Sequence, residues 1–335
     1  MAVQDVSNSL TYPMAQNYSA DKFALTIEKF DIRVHETMQA DSVLDGVNVF
    51  KPLIGTDTMS NNIMGNPTLQ AVSPGVEPEG KKIEVGKNIV QVKTPIIARV
   101  TTAMLAEVQD HLDLKSRTPA NFGKRLAKSI DEVQFVQIVK SILYNDGGLG
   151  TGGILPVGVT TTLVTLLDEL DEDKLEAAIM TISQSLMEAE VGQEDGKLYI
   201  APAQYFTLLK NDKLLNTDYS KDNGSYAHAA ISVVSGMALV ATNRMSQAVD
   251  TVASPVKVDS TAALYGSTYE TSAAEARIVA AFVTPETIQV AQSIPLTSDV
   301  YWDKRLLTWF IDSYLAIGCG PDRTDVGAGI FSAAS

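Results

Sequence analysis

Hydrophobic positions along this chain change their spacing several times, and each change marks an element. Residues 1–20 are polar and mixed. Phe23, Ile27, Phe30, Val34 and Met38 then recur at steps of three and four, the single apolar stripe of a helix. So narrow a stripe has to lie on something, either the body of its own chain or a neighbour. Residues 51–80 carry Pro52, Pro67, Pro74 and Pro78 interleaved with Gly55, Gly65, Gly75 and Gly80, which excludes a long helix and breaks any strand into short pieces. Beyond them Ile83, Val85, Ile89, Val90, Val92, Ile96 and Val100 stand among Lys and Thr in strand-forming company, with Gly86-Lys87-Asn88 as the expected hairpin tip.

Thr118 followed by Pro119 signals the start of a helix whose first residue is the proline. Phe122, Leu126, Ile130, Val133, Phe135, Ile138, Ile142 and Leu143 carry it through 119–143, a rod of ~37 Å at ~1.5 Å per residue. It reads as a spine, and Asn145-Asp146-Gly147-Gly148 stops it. A second helix opens near Asp171 and sets Leu175, Ile179, Ile182, Leu186 and Ala189 on one face, ending before Gly192. Residues 197–201 form a short strand closed by Pro202, and 203–210 return as a helix, a strand–Pro–helix pattern of a compact α+β unit. Strand-like runs follow at 231–240 around Gly236, at 277–283, at 288–291 and at 306–317. The last is apolar on both faces, with Trp309, Phe310, Ile311, Tyr314 and Leu315, so it should be a buried strand ending in a Gly-rich turn. No internal repeat of fixed period is present.

Composition narrows the class. With 335 residues, 45% hydrophobic and 20% charged, the chain can bury a sizeable core, as about two domains or one elaborated domain. The 26 Lys and Arg against 40 Asp and Glu leave a net charge of −14, the wrong sign for a protein that binds by neutralising phosphates. Cys319 is the single cysteine, which excludes an intrachain disulfide and a thiolate zinc cage, so packing alone must hold the fold. No basic start followed by an apolar core opens the sequence, and no apolar run approaches the ~20 residues of a bilayer span, so neither a signal peptide nor a membrane segment is expected. One stretch stands apart. Residues 51–121 contain no Phe, Tyr or Trp, although the chain carries 9 Phe, 11 Tyr and 2 Trp. Aromatics bring the largest burial per residue, so this excursion is poorly equipped to build its own core. It is expected to be a long hairpin arm that projects and finds its partner surface elsewhere, since structureless loops beyond about 15 residues are uncommon in compact domains.

Candidate chemistry is thin. Gly148-Leu149-Gly150-Thr151-Gly152-Gly153 has the letters of a dinucleotide-binding loop, but it follows a helix and precedes Ile154-Leu155-Pro156 instead of opening a helix after a strand, so a flexible connector is expected. Asp168, Glu169, Asp171, Glu172, Asp173 and Glu176 lack the spacing of a calcium loop and read as an acidic helix start favoured by the macrodipole. His35, His111 and His228 are isolated, with no nucleophile elbow nearby in sequence, and Cys319 between Gly318 and Gly320 reads as a packed small residue. No catalytic, cofactor-binding or metal-ligating residue is expected, and no cofactor.

The order of these elements, amphipathic arm, aromatic-poor hairpin, spine helix, α+β unit and buried C-terminal strand, resembles the HK97-like fold of tailed double-stranded DNA phage major capsid proteins. It is most similar to the version in short-tailed podoviruses of the Autographivirus type. The local matches are Leu198-Tyr199-Ile200-Ala201-Pro202-Ala203-Gln204-Tyr205, residues 231–240 with Gly236, and Ser313-Tyr314-Leu315-Ala316-Ile317-Gly318-Cys319-Gly320-Pro321-Asp322-Arg323 through Gly329-Ile330. The resemblance implies an α+β fold with an N-terminal arm at 1–51, an E-loop at 52–100, a P domain at 101–160 and 275–335 holding the spine helix at 119–143, and an A domain at 161–274. It also implies a shell subunit that assembles into hexamers and pentamers with scaffolding and portal proteins, and with a decoration protein where one exists. Such a shell forms in the host cytoplasm, becomes the virion capsid and encloses double-stranded DNA without sequence-specific binding. The acidic balance suits that role, because it repels phosphate. Some family members crosslink an E-loop lysine to a neighbour's asparagine. Lys81, Lys82, Lys87 and Lys93 are available here, but no acid and acceptor pairing is legible, so no crosslink is expected. Two rival readings are an encapsulin-type nanocompartment shell, which electron microscopy separates by its lack of portal and tail, and an α+β nucleotide-binding enzyme, which a nucleotide-dependent thermal shift would reveal.

Overall fold

The computed structural model of the chain describes residues 24–44, 46–47, 49–64, 69–75, 77, 79–80, 82–83, 85–103, 114–143, 158–194, 196–211, 214, 224–225, 230–245 and 265–333. The chain divides into two compact units, one of 1–42, 94–130 and 293–316, the other of 43–93, 131–292 and 317–335.

In the first unit the N-terminal stripe finds its cover within its own chain. Helix α1 (Ala24–Asp41) buries Phe30 and Val34. Phe30 meets Phe122 edge-on with ring centroids 6.2 Å apart. At Gly123 the helices touch backbone to side chain, since a Cβ there would lie 2.7 Å from both Val34 O and Thr37 Cβ. Phe23 lies outside the described residues. The partner helix runs Leu114–Leu143, with Pro119 inside it instead of at its first position as the Thr118-Pro119 signal predicts. A proline in the second turn forfeits only the backbone bond to residue 115, and the apolar face beyond it sustains the helix. At ~1.5 Å per residue this helix, α2, is ~45 Å long. Strand β4 (Ile96–Ala103) pairs antiparallel with the leading part of a long strand (Thr308–Pro321), from Thr308↔Ala103 to Leu315↔Ile96. The strand before it runs Ile288–Asp303, far beyond the expected 288–291.

In the second unit six strands form a mixed sheet. They are β5 (Val159–Thr162), β6 (Lys197–Ile200), β9 (Val233–Val234), β10 (Met237–Ala241), β11 (Ile278–Val283) and β14 (Ala328–Phe331), in the spatial order β5-β14-β11-β6-β10-β9. The counting follows chain order, with β1 (Phe50–Pro52), β2 (Thr58–Met64), β3 (Val85–Gln91), β7 (Gly224–Ser225), β8 (Ala230–Ile231), β12 (Ile288–Asp303) and β13 (Thr308–Pro321) completing it. Strand β11, Ile-Val-Ala-Ala-Phe-Val, is buried at every position, as a continuous apolar run requires of an interior strand. Ser235 and Gly236 both take positive φ, 51° and 86°, and turn β9 into β10 as a tight hairpin.

Helix α3 (Glu172–Glu188) covers this sheet with Leu175, Ala178, Ile179, Ile182 and Leu186. The acidic run is its start. Asp171 is the N-cap and accepts from Asp173 N at 3.0 Å, while Glu172 and Asp173 occupy the first turn, where the macrodipole favours negative charge. Pro202 opens helix α4 (Pro202–Leu208) directly after β6, as the strand–Pro–helix pattern predicts. The later part of α2 also belongs here. Phe135 meets Tyr199 edge-on at 5.3 Å, and Gly158, Gly327 and Gly329 let backbone and strand press against Ile142.

Candidate assembly surfaces

Only part of the aromatic-free segment 51–121 folds as a hairpin, β2 with β3, paired antiparallel from Thr58↔Gln91 to Met64↔Val85, while 96–103 is β4 on β13 and 114–121 opens α2. The hairpin's tip is not at Gly86-Lys87-Asn88, which sit inside β3. That expectation rested on local turn chemistry, and tertiary contact overrides it: Gly86 and Asn88 are buried, and Asn88 donates its side-chain amide to Pro321 O. The seven residues of β2, in a region expected to hold only broken strands, form because each has a partner in β3.

The hairpin has two unlike faces. Burial alternates strictly along β3, with Gly86, Asn88 and Val90 covered and Val85, Lys87, Ile89 and Gln91 exposed. The covered face lies on residues 318–322 of β13 and its end. Gly318 and Gly320 are not in a Gly-rich turn, as the sequence suggests, but within β13. A Cβ on Gly318 would stand 2.7 Å from Gln91 O, and one on Gly320 2.8 Å from Val90 Cγ2. Glycine inside a strand is the signal of such a close approach, and it was available in the sequence.

The other face exposes Val85 and Ile89, and the segments next to the two strands expose further aliphatic side chains. Ile54 is 88% and Leu69 92% exposed, and Val72 and Ile83 are exposed with them. Several bare aliphatics on a segment without aromatic residues make it a candidate for contact with a partner. Two further sets stand out. On the sheet unit Val164, Leu167, Leu170 and Phe206 are exposed near the start of α3. On the first unit the turn between β12 and β13 exposes Leu306 and Leu307, and behind it Tyr301 stacks on Phe310 at 5.2 Å while Trp302 meets Trp309 at 5.1 Å. Arg99 sits 5.5 Å over the Phe310 ring and grips Asp312 with two bonds of 2.7 and 2.6 Å.

The candidates for chemistry do not converge. Glu169 accepts from Gln204 and Glu176 from Asn211, which ties the acidic helix start to α4 and the residues after it. Asp168 is bonded by Thr165 through both hydroxyl and backbone N–H, and those bonds hold its carboxyl below the ordinary range. His35 donates to Leu296 O at 3.3 Å. His111, His228 and the 148–153 loop lie outside the described residues. Cys319 is buried, burial pushes its thiol up to about 12, and the Tyr269 hydroxyl accepts from its N–H at 3.1 Å and donates to its C=O at 3.2 Å. It packs as a small residue, as its setting predicts. Among the described residues no three His, Cys, Asp or Glu gather where a metal ion would be held, and no helix is long and apolar enough to cross a membrane.

A buried ion pair joins Arg244 to Asp131 of α2, a site that pattern reading missed because charge on a spine helix looks like a solvated face. Asp131 also accepts from Val43 N at 2.7 Å. Tyr199 donates to Val43 O at 3.4 Å, and burial raises its phenol well above the ordinary value.

A spine helix, a mixed-sheet unit and a hairpin arm with one face left bare describe a shell-forming subunit, and solved structures carry the same fold. The chain resembles the capsid of the cyanophage P-SCSP1u with a TM-score of 0.73 at 17% identity, over 88% of this chain and 89% of that one. It resembles the mature capsid of bacteriophage PhiM1 with a TM-score of 0.70 at 18% identity, over 88% of each chain. A virus-like particle from Pyrococcus furiosus is more distant, with a TM-score of 0.52 at 12% identity over 91% of this chain and 99% of that one. The fold is thus that of HK97-like shell proteins. A family model described as Gp10A-like major capsid protein matches residues 65–294, and the chain belongs to that family. No curated protein matches it significantly by sequence. The family's role is structural and not enzymatic, its place is the virion capsid, and its members assemble with their own kind into a shell.

Proposed function

We propose that this chain is the major capsid protein of a short-tailed phage of the Autographivirus type, and that hexamers and pentamers of it close an icosahedral shell around double-stranded DNA. The observation that carries the reading is the hairpin of β2 and β3, whose outer face keeps Val85 and Ile89 bare, with Ile54 and Leu69 also exposed in the segments before and after β2. A monomer gains nothing from that exposure, whereas a neighbouring copy laid over it removes apolar surface from water. In this reading residues 1–51 are the N-terminal arm, 52–100 the E-loop, 101–160 and 275–335 the P domain around the spine helix, and 161–274 the A domain that meets its copies around each capsomer axis. Scaffolding and portal proteins are the assembly partners, with a decoration protein where one exists. The net charge of −14 suits a shell around packaged phosphate, which it repels.

The family match favours a viral capsid over an encapsulin-type compartment. Negative-stain electron microscopy of the purified chain, alone and with its scaffold, tests the reading. Closed shells or capsomers are expected, and a monodisperse monomer across micromolar concentrations would refute it. Replacing Val85 and Ile89 together by Ser should leave circular dichroism unchanged and suppress those shells.

A further inference from the structure

The hairpin is not merely attached at its ends; it is seated. Asn61 of β2 and Asn88 of β3 face each other directly in the hairpin register. Both reach the same place, Asn88 donating to Pro321 O and Asn61 to Asp322 Oδ1. Beside them Gly320 admits Val90, and Gly318 admits the backbone of Gln91, at distances no Cβ allows. The seat is itself held from behind. The Tyr269 hydroxyl brackets Cys319 with its bonds to N–H and C=O, Asp322 N donates to Thr287 O at 3.1 Å, and Arg323 N to Glu286 O at 3.0 Å. The base of the hairpin is closed by Val92 N on Asp57 O at 3.0 Å and Gln91 Nε2 on Asp57 Oδ2 at 3.0 Å.

We propose that Gly318, Gly320, Pro321 and Asp322 are positioning residues for shell assembly: they fix the direction in which the hairpin arm leaves its unit, and that direction decides whether subunits close a shell of one curvature. The proposal rests on the arm being an intersubunit element. A two-stranded ribbon by itself is marginally stable and free to swing. Two glycines set how closely β3 approaches β13, and two opposed asparagines stop it from rolling about its own axis. The apolar residues of the outer face supply attraction to a neighbour but carry no information on angle. The seat supplies it.

Spin labels at Leu69→Cys on the arm and Met187→Cys on α3, both exposed, report the arm's direction in the unassembled subunit, and the buried Cys319 stays unlabelled. A single narrow distance distribution is expected for the otherwise unaltered chain. Asn61→Ala with Asn88→Ala should lose that single distance, Gly320→Val should shift it, and Asp322→Asn, which keeps an acceptor oxygen, should restore the unaltered distance where Asp322→Ala does not. Electron microscopy of the same variants should show open or irregular assemblies for the first two and for Asp322→Ala, and regular shells for Asp322→Asn. An unchanged distance in the double alanine variant, or regular shells despite a lost or shifted distance, would overturn the proposal. So would collapse of the circular dichroism signal in the double alanine variant, because the seat would then be core and not a pivot. Failure of the unaltered chain to assemble with its scaffold, with the distance effects intact, would instead refute the capsid reading and leave the seat's hold on the arm standing.

Discussion

Arg244→Met offers a sharp test of the packing around the spine helix. The Asp131 carboxylate is 1% exposed and the Arg244 side chain 11%. Charges so deeply placed carry a desolvation penalty of several kcal/mol each, and their mutual attraction offsets it only while both are present. Arg244→Met keeps the aliphatic stem's packing but leaves the carboxylate in place beside Val43 N–H without its guanidinium, and should destabilise the subunit by about 3–5 kcal/mol. Asp131→Asn retains an acceptor for Val43 N–H and removes the opposing charge from beside the guanidinium instead, at a comparable penalty. The informative variant is the double one. Asn and Met together bury no charge, so the pair should be more stable than either single variant, and by the same bookkeeping close to the unaltered chain. Urea unfolding of the unassembled subunit, followed by circular dichroism and tryptophan fluorescence, reads all four. If the double variant is the least stable, with the two losses simply adding, the pair is not electrostatically coupled and the argument fails.

Gly196→Ala should destabilise by at least the ~1–3 kcal/mol typical of overpacking, because the new Cβ would stand 2.2 Å from Cζ of the fully buried Phe282. Phe282→Leu should relieve part of that loss in a double variant, and strict additivity in urea unfolding would contradict the clash. The Cys319 thiol, pushed up to about 12 by burial, should resist a thiol-directed chromogenic reagent at pH 8 in the folded subunit and react on unfolding; rapid labelling under native conditions would place it at a surface. Asp168 titrates below the ordinary carboxylate range because of its Thr165 bonds, so its contribution is present above the unfolded carboxylate pKa and is lost as pH falls through the folded value. Asp168→Asn should therefore weaken the folded state more at pH 7 than at pH 3, and an equal loss at both in thermal melts would argue against the cap.

Periodicity alone located most of the elements. The stripe of α1, the rod of α2, the buried face of α3 and the wholly apolar β11 each follow from local spacing, because burying one face of a helix or both faces of a strand imposes a pattern that does not depend on which element does the burying. The missing aromatics of 51–121 pointed to a segment with little to build a core from, and part of it, 58–91, is a hairpin with one face exposed. What spacing could not convey is who pairs with whom. Gly86-Lys87-Asn88 reads as a turn until Pro321 arrives to accept from Asn88, and 318–320 reads as a glycine turn until β3 crosses over it. Pro119 reads as a helix start until the apolar face beyond it holds another turn in place ahead of it. Asp131 carries no signal in the helix pattern, and only the fold brings Arg244, more than a hundred positions away, onto it. For Asn88, the glycines of β13 and Asp131 it is a contact distant in sequence that overrides or supplies what local preference left open.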